Sequence, residues 1–204
     1  MSHADRGWMD SPDKAAPRRG AYQIGNVRAR LLDEAMDILE RDGLQALNLR
    51  DLAARAGITA GSLYHHFDGK GALLAELAAA GFEELRRRVE RDGGQAAEGA
   101  RVRAWALAYF AFAQDRPALY GLMFDPAIAH APQVSAARDQ ALRTIHVFVQ
   151  GSPVLAGIST PPEKIAVAVW AAAHGAASLT LSGAGGRELI EDVIQGLDGL
   201  FRRR

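Results

Sequence analysis

Residues 49–67 read Leu49-Arg50-Asp51-Leu52-Ala53-Ala54-Arg55-Ala56-Gly57-Ile58-Thr59-Ala60-Gly61-Ser62-Leu63-Tyr64-His65-His66-Phe67. Asn48 stands before them as an N-cap residue, Asp51 occupies the favourable first turn, and Gly57 breaks the helix after Ala56. Thr59 then caps a second short helix over residues 60–67. Two short helices joined by a tight turn containing glycine make a helix-turn-helix. Leu52, Ala53, Ile58, Leu63 and Phe67 supply a small core, and Ala53 and Ala56 are small where the helices cross. Thr59, Ala60, Gly61, Ser62, Tyr64, His65 and His66 are left facing outward, on a surface without a carboxylate.

The flanking sequence is helical in period throughout. Upstream, Asn26 reads as an N-cap, Leu31, Leu32, Ala35, Ile38 and Leu39 form an apolar stripe, and Gly43 ends the helix. Downstream, Asp68 reads as the cap of a long helix carrying Leu73, Leu74, Leu77 and Phe82, ending near Asp92-Gly93-Gly94. Residues 102–115 form an amphipathic run with Trp105, Tyr109, Phe110 and Phe112. Pro117 opens a short helix to 124, residues 125–132 form a loop, and 133–150 are helical. Thr160-Pro161-Pro162-Glu163 reads as a capping box opening a helix to about Ser182. After a break at 183–186 comes a last helix, 187–204, whose terminal arginines suit the dipole. There is no repeat of fixed period and no sustained strand-like alternation, so the fold class is all-α.

Composition excludes several functions. With no cysteine there is no disulfide, thiolate metal site or cysteine nucleophile. Adjacent histidines point to different helix faces, so His65 and His66 make a poor chelate and no metal is expected. There is no Gly-x-Ser-x-Gly and no His-Glu-x-x-His, and Gly183-Ala184-Gly185-Gly186 lacks the strand that a dinucleotide site requires. We expect no cofactor and no catalysis. Residues 1–20 lack the apolar stretch of a secretory signal, and 165–181 are short and weakly apolar for a membrane span, so a cytoplasmic protein without a membrane partner is expected. The chain has 24 basic and 24 acidic residues. A role at nucleic acid must therefore rest on local placement of charge.

That placement exists. The second short helix could enter a major groove by its N-terminal turn, whose free N–H groups favour phosphate. Ala60 and Gly61 would let its backbone come close. Ser62 would meet a base edge or phosphate, and Tyr64 and His66 would hold the backbone. Arg50 could reach a phosphate or guanine, and Lys70 would clamp the flank. The plainer alternative is ordinary core packing, with Tyr64 half-buried and the histidines merely at the surface. The neutral charge favours, mildly, an all-helical interaction module without DNA binding. In the segment 1–21, read as a disordered arm, Lys14, Arg18 and Arg19 are within reach of phosphate or a minor groove; a solvated tail is the simpler reading.

Leu52-Ala53, Ala56-Gly57, Gly61-Ser62-Leu63-Tyr64, His66-Phe67, Lys70 and Leu73 resemble the signature of the tetracycline-repressor family, in order and spacing, across about residues 27–85. Gly71 departs from it, standing where the family usually has a polar or charged residue. The resemblance implies DNA contact by Arg50, Thr59, Ala60, Gly61, Ser62, Tyr64, His66 and Lys70, with His65 beside them. Phe112-Ala113, Pro117-Ala118-Leu119-Tyr120 and Leu122-Met123-Phe124, then Trp170, His174 and Gly175, are similar to a C-terminal sensor domain recurrent in that family. This implies a transcriptional regulator, by family default a repressor, released from operator DNA by a small-molecule effector. It divides the chain into an arm (1–21), a helix-turn-helix domain (22–68), a connecting helix (69–94) and an effector-binding and dimerisation domain (95–204).

The effector cavity would be lined by Trp105, Tyr109, Phe112, Met123, Phe124, Phe148, Trp170 and His174, although most of these equally suit a core. His174 is its best polar anchor. A ligand there would shift the connecting helix and separate two reading heads. A homodimer would form through the last two helices, one rich in Ala, Gly and Ser, the other carrying Leu189, Val193, Ile194, Leu197, Leu200 and Phe201. Its two-fold axis predicts a palindromic site with half-sites roughly 34–36 Å apart or a multiple.

Overall fold

The structure, a computed structural model, describes residues 19–156, 158–186 and 188–202. Lys14 and Arg18 lie outside the described residues, as do the side chains of Arg19, Leu200 and Phe201. Nine helices occur among the described residues, and no strand: α1 (Arg19–Asp42), α2 (Leu49–Arg55), α3 (Ala60–Tyr64), α4 (Gly69–Gln95), α5 (Arg101–Asp115), α6 (Pro117–Met123), α7 (Pro132–Gln150), α8 (Pro162–Leu181) and α9 (Glu188–Arg202).

Four local expectations are corrected. α1 already runs through Asn26, which is therefore no N-cap; residues 19–25 hold no proline to stop the helix from extending upstream. Asp68 occupies the cap position of α4 but its side chain makes no capping hydrogen bond. Thr160 does not cap α8 either. Pro162 takes the first helical position and Pro161 the cap, held extended at φ −54° and ψ 137° by the ring that follows. The fourth correction is length: α4 continues through Gly93 and Gly94 to Gln95. Gly93 is buried directly against the ring of Phe148, and that contact outweighs the glycine's preference for a break.

The long helix α4 organises the fold, packing on α1 at its start and on α5, α6 and α7 along its length. Leu73, Leu77, Phe82, Leu85 and Val89 make its buried stripe. Burying each such side chain contributes about 1.5–3 kcal/mol. Gly81 lets α6 close onto α4, since a Cβ there would lie 2.8 Å from Met123 Sδ. α8 packs on α5 and α7 through Ile165, Val169, Ala173 and Ala176, and α9 packs on α8 and α5. By length and composition α8 is apolar enough to cross a membrane, a test that a core helix also passes.

Candidate nucleic-acid interface and ligand site

The helix-turn-helix is built from local signals. Asn48 Oδ1 accepts from the Arg50 backbone N–H at 2.8 Å, starting α2. Its end is a Schellman closure: Ile58 N–H donates to Ala53 O at 3.0 Å and Gly57 N–H to Ala54 O at 3.1 Å. Gly57 stands at φ 69°, a conformation that an L side chain rarely adopts. Two residues later Thr59 Oγ1 accepts from the Ser62 N–H at 3.1 Å, starting α3. Leu52, Ala53, Ala56, Leu63 and Phe67 are buried and Ile58 half-buried, as the sequence pattern requires. α1 braces the unit: Arg30 Nη2 donates to Ala56 O at 3.1 Å, and the Arg28 guanidinium lies 5.0 Å from the Phe67 ring centre while pairing with Glu76 at 3.1 Å.

α3 is shorter than the expected 60–67, ending at Tyr64, with His65 and His66 in the turn that follows. Arg50, Thr59, Gly61, Tyr64, His65 and Lys70 are exposed, and Ala60, Ser62 and His66 are half-exposed. Tyr64 is 57% exposed, so the reading of it as a half-buried core ring fails. The structure thus leaves the nine residues accessible on and around one short helix.

The eight candidate ligand residues divide. Tyr109, Phe124, Trp170 and His174 meet in one cluster, with Trp105 stacked on Tyr109 at 5.2 Å between ring centres. Met123 packs against Gly81 and Phe148 against Gly93, at separate points along α4, and Phe112 is fully buried. The cluster is closely filled, leaving a void of about 10 Å³ beside Trp105, Tyr109 and Trp170. A larger cleft, of about 400 Å³, lies between α5, α8 and α9, and none of the eight lines it.

At the cluster's centre, Tyr120 OH lies 2.6 Å and Tyr109 OH 3.1 Å from His174 Nδ1, and the hydroxyls lie 3.2 Å apart. Ser178 Oγ sits 3.5 Å from His174 Nε2. The network suits a neutral imidazole with Nδ1 accepting. Burial pushes His174 below its ordinary value and both tyrosines above theirs, Tyr109 furthest. Tyr120 and Ser178 were not among the sequence candidates. Ser178, four residues beyond His174, was detectable by helical spacing; Tyr120, 54 residues away, is joined to it only by tertiary packing.

Comparison with known proteins places both halves in one group. The family model described as "Bacterial regulatory proteins, tetR family" matches residues 31–77, and one described as "Tetracyclin repressor-like, C-terminal domain" matches residues 102–201. The HTH-type transcriptional repressor KstR2 of Rhodococcus jostii is 43% identical over 58 residues, 28% of either chain. The chain thus matches under a third of that relative's length. A solved structure of a protein of unknown function from Rhodococcus sp. RHA1 is 31% identical, with TM-score 0.71 over 86% of this chain and 93% of that one. A TetR-family regulator from Pectobacterium atrosepticum shares the fold at TM-score 0.71 and 22% identity, over 89% of this chain and 95% of its own.

Proposed function

Because the chain belongs to the tetR family of bacterial regulatory proteins, we propose that it is a dimeric transcriptional repressor released from palindromic operator DNA by a small-molecule effector. One observation carries the DNA-binding part. α3 leaves Tyr64 and Gly61 exposed, with Arg50 exposed on α2 before it and Lys70 on α4 after it, while Leu63 and Phe67 are buried. The small residues Ala60 and Gly61 permit close backbone approach, Ser62 and Arg50 can address bases or phosphate, and Tyr64, His65, His66 and Lys70 can grip the backbone. The unit divides functionally into a head up to about residue 68, the connecting helix α4, and a sensor and dimer region beyond it.

Ligand entry among Tyr109, Tyr120, Trp170 and His174 would act on α6, which Tyr120 belongs to, and on α4, against which α6 is packed. α4 leads straight into the head, so its displacement changes the spacing of two heads in a dimer. The experiment is a gel shift against DNA upstream of the chain's own gene, over a range of salt. Tyr64→Ala with Lys70→Ala should weaken binding and reduce the salt slope by about one for the lysine. Unchanged affinity and slope would remove the proposed interface.

A further inference from the structure

The His174 cluster is satisfied within itself, since each tyrosine hydroxyl and both imidazole nitrogens have a partner in reach. One polar group beside it is not. Trp105 is 2% exposed, and its indole Nε1–H meets no acceptor among the described residues. A buried donor left unpaired costs about 1–3 kcal/mol. Trp105 lines the void of about 10 Å³, together with Phe82, Leu85, Leu142, Trp170 and Arg138. Arg138 has Asp139 as its ion-pair partner, at 3.6 Å, too long for a hydrogen bond, and a third of its side chain reaches solvent. No residue lining the void is a carboxylate. Among the described residues, the unpaired buried polar atom in its lining is therefore a donor, with the cationic Arg138 as a second lining group in an apolar and aromatic wall.

We propose that this void is the closed form of the effector site, and that the effector is a compact apolar monocarboxylate. The apolar body takes the place between Phe82, Leu85, Leu142 and Trp170, and the acid group answers the Trp105 N–H and the Arg138 guanidinium. A guanidinium prefers a carboxylate to a neutral acceptor because it can bind both oxygens. The void itself holds at most one water, so the ligand opens it. Arg138, Leu142 and Trp170 are the half-buried members of the wall, and in this reading they move outward as the ligand enters. The inference rests on the reading of the region beyond α4 as the sensor; it moves the ligand from the His174 cluster to the void that adjoins it and adds the ligand's chemistry.

The test is calorimetric titration of the full chain with phenylacetate and octanoate, each against its neutral amide. At least one acid should bind about tenfold or more tightly than its amide, the value of one hydrogen bond to a charged group. Arg138→Gln should erase that preference, and Trp105→Phe should weaken the acid by a similar factor. Arg138 is partly exposed, so its variant remains readable even if Trp105→Phe fails to fold. If neither acid outbinds its amide, or if the preference survives Arg138→Gln, the proposal falls. The gel shift run on the same preparation separates the two readings: intact DNA binding with no acid preference overturns this inference alone, whereas lost DNA binding with acid preference overturns only the operator reading.

Discussion

Arg116 Nε donates to Glu40 Oε1 at 3.0 Å, joining the residue that precedes α6 to the helix that braces the head. The same guanidinium reaches Glu84 of α4 through Nη1 at 2.9 Å. Tyr120, one turn along α6, is bonded to His174. A seven-residue helix therefore connects the buried cluster to α1 and α4 at once. Arg116→Met would leave Glu40 and Glu84 facing the same space without their counter-charge. Because all three side chains are partly solvated, the expected loss is only about 1–2 kcal/mol. Urea unfolding checks it, and a midpoint unmoved by the substitution would show the fork to be ornamental.

Gly61 offers a way to separate folding from DNA contact. A Cβ at this position would touch only Thr59 Oγ1, at 3.8 Å, and the backbone there is not left-handed. Gly61→Ala should therefore leave stability unchanged or raise it by about 0.5–1 kcal/mol, through the helix propensity of alanine. The added methyl would nonetheless stand on the surface proposed to approach the duplex. The expected pair of results is an equal or higher melting temperature and a weaker gel shift. Full affinity in the variant would mean that the α3 backbone does not come close to DNA.

His174 predicts a pH dependence with a definite sign. Burial holds its pKa below the ordinary 6.5, so the unfolded chain takes up the proton more readily than the folded one. Stability from this group is complete above 6.5 and is lost as pH falls through the folded value. Protonation also places a hydrogen on Nδ1, so that nitrogen can no longer accept from Tyr120 OH, which lies 2.6 Å away. Denaturant unfolding between about pH 5 and 7.5 should show stability falling toward the acid end. His174→Gln should be weaker near neutrality but fall less steeply. Parallel curves for the two proteins would assign the acid sensitivity elsewhere.

The head was legible because its signals are local. Asn48, Gly57 and Thr59 each act within five residues along the chain, and each does what its side chain or backbone freedom demands. Local rules failed where a tertiary contact or a neighbouring ring competed with them. Gly93 stays helical because Phe148 covers it, and Thr160 is displaced from capping by two prolines. Arg116 and Glu40 are 76 residues apart, and Tyr120 and His174 54 apart. No helical spacing links either pair, so the connection between buried cluster and head became visible only once α6 was placed.

α8 carries the prediction for assembly. One of its faces is buried through Ile165, Val169, Ala173 and Ala176, while Val167, Ala168, Ala171 and Leu179 are exposed, Val167 by 57% and Leu179 by 48%. Small residues on that outer face, Gly175 among them, allow a second helix to approach closely, and α9 lies alongside. If two copies pair through α8 and α9, charges placed on this face must be desolvated or repel across the two-fold axis. Val167→Glu with Leu179→Glu should convert a dimer to a folded monomer in sedimentation, with the helical circular dichroism retained because neither residue belongs to the core. DNA affinity should fall with the dimer, since one head then binds without its partner. A wild-type chain that sediments as a monomer at micromolar concentration, or a double variant that stays dimeric, would place the interface elsewhere.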